Sequence, residues 1–268
     1  MFDLLADALP LAIVASTPLL LAVQGELVVQ RSGIINLGIE GMMLVAAMCA
    51  ALGGVFGGLA GAALVALLFG FFTVTLRSDQ IVTGTAINLL AVGVTSFLYR
   101  ELSFGPRAGA HFILPIAWIV FPIALALLLW NTSFGLRLRA CGENPEAVAA
   151  AGQSVALHRW IALAIQALLA GFAGSYLALA IASGFAENMT AGRGFIALSI
   201  VIFGRWKLKG ALVGTAIFGL AAALQYALQA SNRGVPFHLL LAVPYVVTLL
   251  ILCGVAGRVR APEWLGRR

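Results

Sequence analysis

Few side chains in this sequence can do chemistry, and they fall into small groups. Glu26, Arg31, Asn36 and Glu40 lie close together along the chain, interleaved with Gly33, Gly38 and Gly41, at the junction of two apolar segments. Ionisable groups in such surroundings are costly and usually face an interior path or a partner. The glycines permit an unwound backbone, as where irregular chain lines a transporter cavity. Two readings are open. Arg31 pairs with Glu26 or Glu40 as a structural tie holding the junction, or the cluster touches a transported solute. Gln80 and Asn88 begin another apolar segment about two turns apart, roughly on one face. Gln225 and Gln229 form an i, i+4 pair with Tyr226 beside them. Amides next to an aromatic ring suit a nucleobase or sugar, by hydrogen bonds and stacking without charge; the plainer alternative is hydrogen bonding between helices.

The same inventory excludes catalysis. His111, His158 and His238 are dispersed, without H-E-x-x-H spacing, and no serine has a paired histidine and acid. Cys49, Cys141 and Cys253 have no metal-ligand spacing, so no metal is expected. A phosphate loop of the form G-x-x-x-x-G-K-[ST] is missing, since the only lysines, Lys207 and Lys209, do not follow a glycine. The chain is expected to bind no cofactor and to hydrolyse no ATP.

The elements that position these residues are set by the solvent. Of 268 residues, 62% are hydrophobic and 10% charged, against roughly a quarter charged in an average soluble domain. A spanning helix needs about 20 apolar residues. Such stretches follow one another at approximately 9–29, 34–52, 54–76, 81–99, 113–131, 158–182, 194–204, 210–230 and 236–256, the seventh too short to cross alone. They are continuous rather than alternating, so they predict helices and not a barrel. The fold expected is all-α: one polytopic transmembrane domain over residues 1–268, with no separate soluble domain. Asp3 and Asp7 stand where a cleavable signal peptide would be basic.

Charge sets the orientation. With 132–157 placed in the cytoplasm, only Arg100, Arg107, Arg193 and Arg233 of the 16 basic residues fall outside, as the positive-inside rule requires. The net charge of +6 therefore reflects topology and not nucleic-acid binding. Glu187, Asn188 and Arg193 are expected in an external loop, either solvated or facing an external partner.

Residues 136–159 form the most informative polar stretch. Asn144 suits an N-cap and Pro145 the first helical position. Glu146 favours the helix dipole, and Gly152 is a natural terminator. The short helix so defined is marginal alone. Two places are open to it: docked on a soluble partner, or lying at the lipid interface. It lacks the bulky apolar and basic residues of an interfacial helix.

The run from Gly142 through Glu143, Asn144, Pro145 and Glu146 to Gly152 resembles the coupling helix of bacterial ABC importer permeases of the simple-sugar, nucleoside and branched-chain amino-acid class. Gly25-Glu26-Leu27 with Gln30 through Met43 is similar to the nucleoside-type branch, as are Asp79 through Gly84 and Gly194 through Trp206. These motifs keep their order, and the resemblance covers about residues 17–254. It implies a multi-pass subunit of the bacterial inner membrane that imports a nucleoside or related small polar solute by alternating access. It further implies a cytoplasmic ABC ATPase holding ATP and Mg, a second permease chain, like or unlike this one, and an extracytoplasmic substrate-binding protein or lipoprotein. The alternatives are a simple-sugar or branched-chain amino-acid permease. From another class comes a self-sufficient secondary transporter, which would need a titratable relay or an internal repeat; no second copy of the Asn36–Glu40 or Glu143–Glu146 motifs is present.

Overall fold

The structure, a computed structural model, describes residues 2–102, 105, 107–230 and 261–267. Among these the elements are helices, with no strand. They are α1 (Phe2–Arg31), α2 (Ile39–Gly70, continued by a wider turn at Phe71–Thr75), α3 (Gln80–Glu101), α4 (Ile113–Asn131), α5 (Ser133–Glu143), α6 (Pro145–Ala150), α7 (Val155–Tyr176, continued to Ile181), α8 (Arg193–Phe203) and α9 (Leu208–Ala230). The expected all-α polytopic architecture is the one found. The ninth apolar segment, 236–256, lies outside the described residues.

Among the described residues, five stretches are long and apolar enough to cross a membrane: Pro10–Arg31, Ile39–Thr75, Gln80–Glu101, Ile113–Asn131 and Val155–Ile181. The second of these is two arms. At Gly54 the backbone turns to φ 69°, ψ −163°, a conformation that glycine adopts freely. A Cβ on Gly57 would then lie 2.3 Å from the Cys49 carbonyl oxygen. In a straight helix those positions would be about 12 Å apart. The chain therefore folds back at Gly54, and Gly57, Gly58 and Gly61 let the arms approach, as small residues do where lipid removes the hydrophobic drive between helices. This agrees with separate segments at 34–52 and 54–76.

The arrangement has a centre and a rim. The most apolar window of α1 is 83% buried and that of α7 is 72%, whereas those of α3 and α4 are 28% each. Leu89, Leu90, Phe97, Ile119, Ile123 and Leu127 face outward from the rim. The central helix α1 packs against α7, α8 and α9, and α2 packs against α7 and α3. Helix α8, at 11 residues, is about 16 Å long and cannot cross the ~30 Å hydrocarbon core alone, in keeping with its expected half-helix character.

Candidate functional site

Between α1 and α2 the chain is unwound and buried. Ser32 and Gly33 form a turn, Ile34–Asn36 run without regular structure, and α2 begins at Ile39. Backbone polar groups at membrane depth must find partners inside the protein, and here side chains supply them. The Ile35 N–H donates to Gln80 Oε1 (2.8 Å) and the Asn36 N–H to Glu26 Oε1 (3.3 Å). The Gly38 N–H donates to Asn36 Oδ1 (2.9 Å) and the Gly41 N–H to Asn88 Oδ1 (2.8 Å). Asn88 Nδ2 donates in turn to the Leu37 carbonyl (2.8 Å). Gln80 opens α3, and Asn88 is eight residues on, about 12 Å deeper at 1.5 Å per residue. The break thus climbs from the end of α1 towards half-depth before α2 starts. Asn36 and Asn88, the pathway candidates with both amide atoms engaged, spend them on the chain itself.

Glu26 is fully buried. Its carboxylate accepts from Gln30 Nε2 (2.9 Å) and Gln166 Nε2 (2.5 Å) as well as from Asn36. Gln166 Oε1 accepts from Asn36 Nδ2 (2.7 Å), and Gln30 Oε1 from Trp206 Nε1 (2.6 Å). The network joins α1, the break, α7 and the turn after α8. Sequence reasoning missed Gln166. Its signal was being the lone amide in the apolar run from Trp160 to Tyr176.

Glu40 serves a different element. It accepts from the N–H groups of Gly192 (2.8 Å) and Gly194 (2.6 Å), so a carboxylate satisfies the orphan donors and positive dipole end of α8. Because Glu40 sits beside Gly41 and Asn88, α8 starts near half-depth and descends to Trp206. Arg193 therefore opens α8 and does not stand in the loop before it. The left-handed turn at Gly192 (φ 80°) and the pull of Glu40 bring it inward, and its guanidinium donates to the Met189 and Thr190 carbonyls. Glu187 does remain at the far end, 3.7 Å from Arg100.

The tie expected between Arg31 and Glu26 or Glu40 is not the one formed. Arg31 Nη1 lies 3.9 Å from Glu143 Oε1, and its Nε and Nη2 donate to the Trp206 carbonyl (2.8 and 2.5 Å). Five residues apart on α1, Glu26 and Arg31 leave the helix in different directions, and Glu40 lies beyond the break.

The partner of Arg31 belongs to the surface segment. Residues 133–143, within the stretch placed in the cytoplasm, form helix α5, capped by Thr132 Oγ1 accepting from the Gly135 N–H (3.0 Å). Leu138 and Cys141 are buried beneath it, and Phe134 stacks on His158 at 5.5 Å. The short helix α6 then begins as expected: Asn144 Oδ1 accepts from the Ala147 N–H (3.0 Å), and Pro145 holds the first position. Gly152 ends the unit with φ +73°. Within α6 only Val148 is buried; Glu146, Ala147, Ala149 and Ala150 are exposed. A cleft of about 380 Å³ separates α5 from α6, with Leu136 and Ala147 on its walls.

Helix α5 meets the break at Gly142, three residues before α6, where a Cβ would lie 2.5 Å from the Arg31 carbonyl oxygen. The C-terminal segment clamps the same place: the Trp264 N–H donates to the Gly142 carbonyl (2.9 Å) and the Gly266 N–H to the Gly33 carbonyl (3.1 Å). Arg159 Nε approaches the Ser32 carbonyl at 3.4 Å. Gln225 is buried in α9; the side chains of Tyr226 and Gln229 lie outside the described residues. Among the described residues, no group of histidine, cysteine and carboxylate side chains is placed to hold a metal ion.

An exposed helix, a corner with no room for a side chain, and a membrane-buried break form one connected path. Known proteins are similar to the chain in sequence. The guanosine ABC transporter permease protein NupQ of Bacillus subtilis is 32% identical, covering 97% of this chain and 95% of its own length. The nucleoside ABC transporter permease protein NupC of Lactococcus lactis is 31% identical over 94% and 92%. A putative glucose ABC transporter permease protein of Haloferax volcanii, TsgC13, is 35% identical over 82% and 77%. No solved structure matches the chain. Residues 8–253 match the family described as branched-chain amino acid transport system / permease component, and the chain belongs to that family.

Proposed function

We propose that this chain is the membrane-spanning subunit of an ABC importer for nucleosides in a bacterial inner membrane. The observation that carries the reading is the contact at Gly142. It joins the end of α5, three residues before the exposed helix α6, to the membrane-buried break, with Glu143 and Arg31 alongside. The basic end faces the cytoplasm. There α6 and the cleft beside α5 receive the ATPase, which holds the ATP and Mg. A shift of α6 moves Gly142 and Glu143 against Arg31. Arg31 passes it to the Trp206 carbonyl and so to the foot of α8, whose head is held by Glu40. The break therefore tilts with α8, and the path opens alternately to the two sides.

On this reading Asn36, Gln80, Asn88 and Glu40 give the break its geometry. Gln225, Tyr226 and Gln229 on α9 are the candidates for contact with the solute, which passes between this chain and a second permease. An external binding protein delivers it at the Arg100–Glu187 end. The nucleoside class is supported by the names of the Bacillus and Lactococcus relatives, which match almost the whole chain.

The test is uptake of radiolabelled nucleosides by cells expressing the chain with the transport genes beside it, compared with the Glu143→Arg/Glu146→Arg variant. Both residues are exposed, so membrane levels should hold while uptake falls at least tenfold. Undiminished uptake in that variant, or uptake without an ATPase, would sink the coupling assignment. Uptake of a sugar or branched-chain amino acid in place of nucleosides would overturn the cargo alone.

A further inference from the structure

At the basic end, the seam between the second arm of α2 and the start of α7 opens into a cleft of about 560 Å³. Arg77 and Ser78 line it from the α2–α3 turn, Ser154 and Arg159 from the cap and first turn of α7, and Trp264 and Arg267 from the C-terminal segment. Among the described lining residues, Glu146 is the one carboxylate, against three guanidinium groups. The apolar spans stop at Thr75 and start at Val155, so the cleft sits where membrane meets water.

One turn deeper along the same seam lies an apolar groove of about 330 Å³. Its walls include Leu59, Ala63 and Leu67 of α2 and Ala164 and Leu168 of α7, with Trp160 at its basic end. The groove runs about 12 Å along α2, from Leu67 to Leu59. Trp160 packs on Gly70, where a Cβ would lie 2.5 Å from its ring, and so stands at the join of groove and cleft. Leu67 and Leu168 on the rims are 59% and 44% exposed, which is how residues facing acyl chains are arranged.

A cationic cleft at headgroup level, stacked on an apolar groove, matches a molecule with an anionic head and a hydrocarbon tail. A free phosphate would use the cleft and leave the groove bare. An acidic protein segment would not follow the groove into the membrane. The face of α6 towards α5 carries Ala147, Val148 and Ala151, whereas the arginine cleft is bordered by Pro145, Glu146 and Ala149. The arginine cleft and the α5–α6 cleft thus flank α6 on its two sides, with Gln153 lining both. We propose that this seam binds an anionic diacyl phospholipid, its phosphodiester among Arg77, Arg159 and Arg267 and one acyl chain in the α2–α7 groove. Basic pockets between spanning helices on the cytoplasmic side suit such headgroups. Bound there, the lipid braces the α2–α3 turn, the C-terminal segment and α6 together.

The experiment is native mass spectrometry of the full-length chain in detergent. It is incubated with phosphatidylglycerol or with phosphatidylcholine of the same acyl chains. Wild-type protein should retain phosphatidylglycerol at least tenfold better. Arg77→Gln/Arg267→Gln should lose most of that preference, about fivefold for each arginine, while Arg159, bonded to Ser32, is left intact. Ala164→Trp, which fills the groove with the arginines untouched, should lower retention of both lipids at an unchanged size-exclusion profile. Millimolar inorganic phosphate or glycerol 3-phosphate should not displace the lipid. Equal retention of the two lipids by wild type would overturn the proposal, as would full retention in Ala164→Trp. Displacement by inorganic phosphate would do the same. Loss of lipid when the ATPase subunit binds would assign the cleft to that protein.

Discussion

The break at residues 32–41 and the surface segment at 133–152 are both short, glycine-punctuated interruptions, yet they are built on opposite terms. In the break, side chains from α1, α3 and Asn36 itself are spent on backbone N–H and C=O groups, Gln166 of α7 holds the Asn36 amide, and the residues from Ser32 to Gly41 are buried or nearly so. In the surface segment, α6 is held by its cap and one buried valine, with the rest open. One is fixed by lipid, which offers no substitute partner for a polar group. The other stands in water, where an unmade hydrogen bond is cheaply replaced. A stiff element and a loosely held one, joined at Gly142, make a lever: the exposed part takes a push and the buried part moves as a body. The two regions should therefore fail differently, and substitutions can break that contrast.

The largest effect is expected from Glu26→Leu. Hydrogen bonds between helices in membranes average only about 0.6 kcal/mol, because the unfolded chain in lipid finds other partners. Losing the Gln166 bond alone would be tolerated. Glu26, however, also holds the Asn36 N–H of the break and the Gln30 amide. Unsatisfied buried donors cost about 1–3 kcal/mol each, and together these approach the ~5–15 kcal/mol margin of a folded protein. Monodisperse protein extracted from membranes should all but disappear, as read by fluorescence-detected size exclusion. Glu26→Gln keeps an acceptor oxygen and should restore much of the yield. A Leu variant that accumulates normally would show the break to be no stiffer than the surface segment.

A middling effect is expected where the two regions meet. A Cβ on Gly142 would lie 2.5 Å from the Arg31 carbonyl oxygen and 3.2 Å from the Gly33 nitrogen, so even Gly142→Ala forces the corner apart. Displacing backbone in this way costs about 1–3 kcal/mol, lowering the melting temperature by a few degrees. Uptake should fall further than stability does, since the gap opens in the lever itself. An Ala variant with normal uptake and a normal melting curve would mean that the motion does not pass through this contact.

Much of this was legible in the sequence, for reasons that particular residues make plain. The spans could be read because lipid demands long apolar runs, and α6 because Asn144, Pro145 and Gly152 state its start and stop locally. The break could be placed by its glycines. Its partners could not: Gln80 meets Ile35 across 45 positions and Gln166 meets Glu26 across 140, and nothing local pairs residues so far apart. Arg31 was assigned the nearest carboxylates along the chain, whereas the fold brings it to Glu143 instead. Helix α5 carries the basic pair Arg137 and Arg139 on a short polar stretch, which hides its helical period. The apolar spacing of Phe134, Leu138 and Cys141, one face of a helix, was the better guide.

The smallest effect on stability, and the most telling, is expected from Asn144→Ala. The side chain gives α6 its single N-terminal cap, accepting from the Ala147 N–H. Losing a cap costs about 1 kcal/mol. For a two-turn helix that is marginal alone, this suffices to shift it towards an unwound state. Because α6 contributes only Val148 to the buried interior, that local melting should leave membrane levels and the global melting curve unchanged; regions of low local stability open independently of the core. Uptake should nonetheless drop several-fold, and Asn144→Asp, which preserves the cap, should recover it. Amide exchange measured across residues 144–152 would report the loosening directly. If exchange there rises while uptake stays level, the ATPase does not read α6 as a formed helix. If uptake falls only together with the melting temperature, the surface segment is part of the stiff core, and the contrast with the break does not hold.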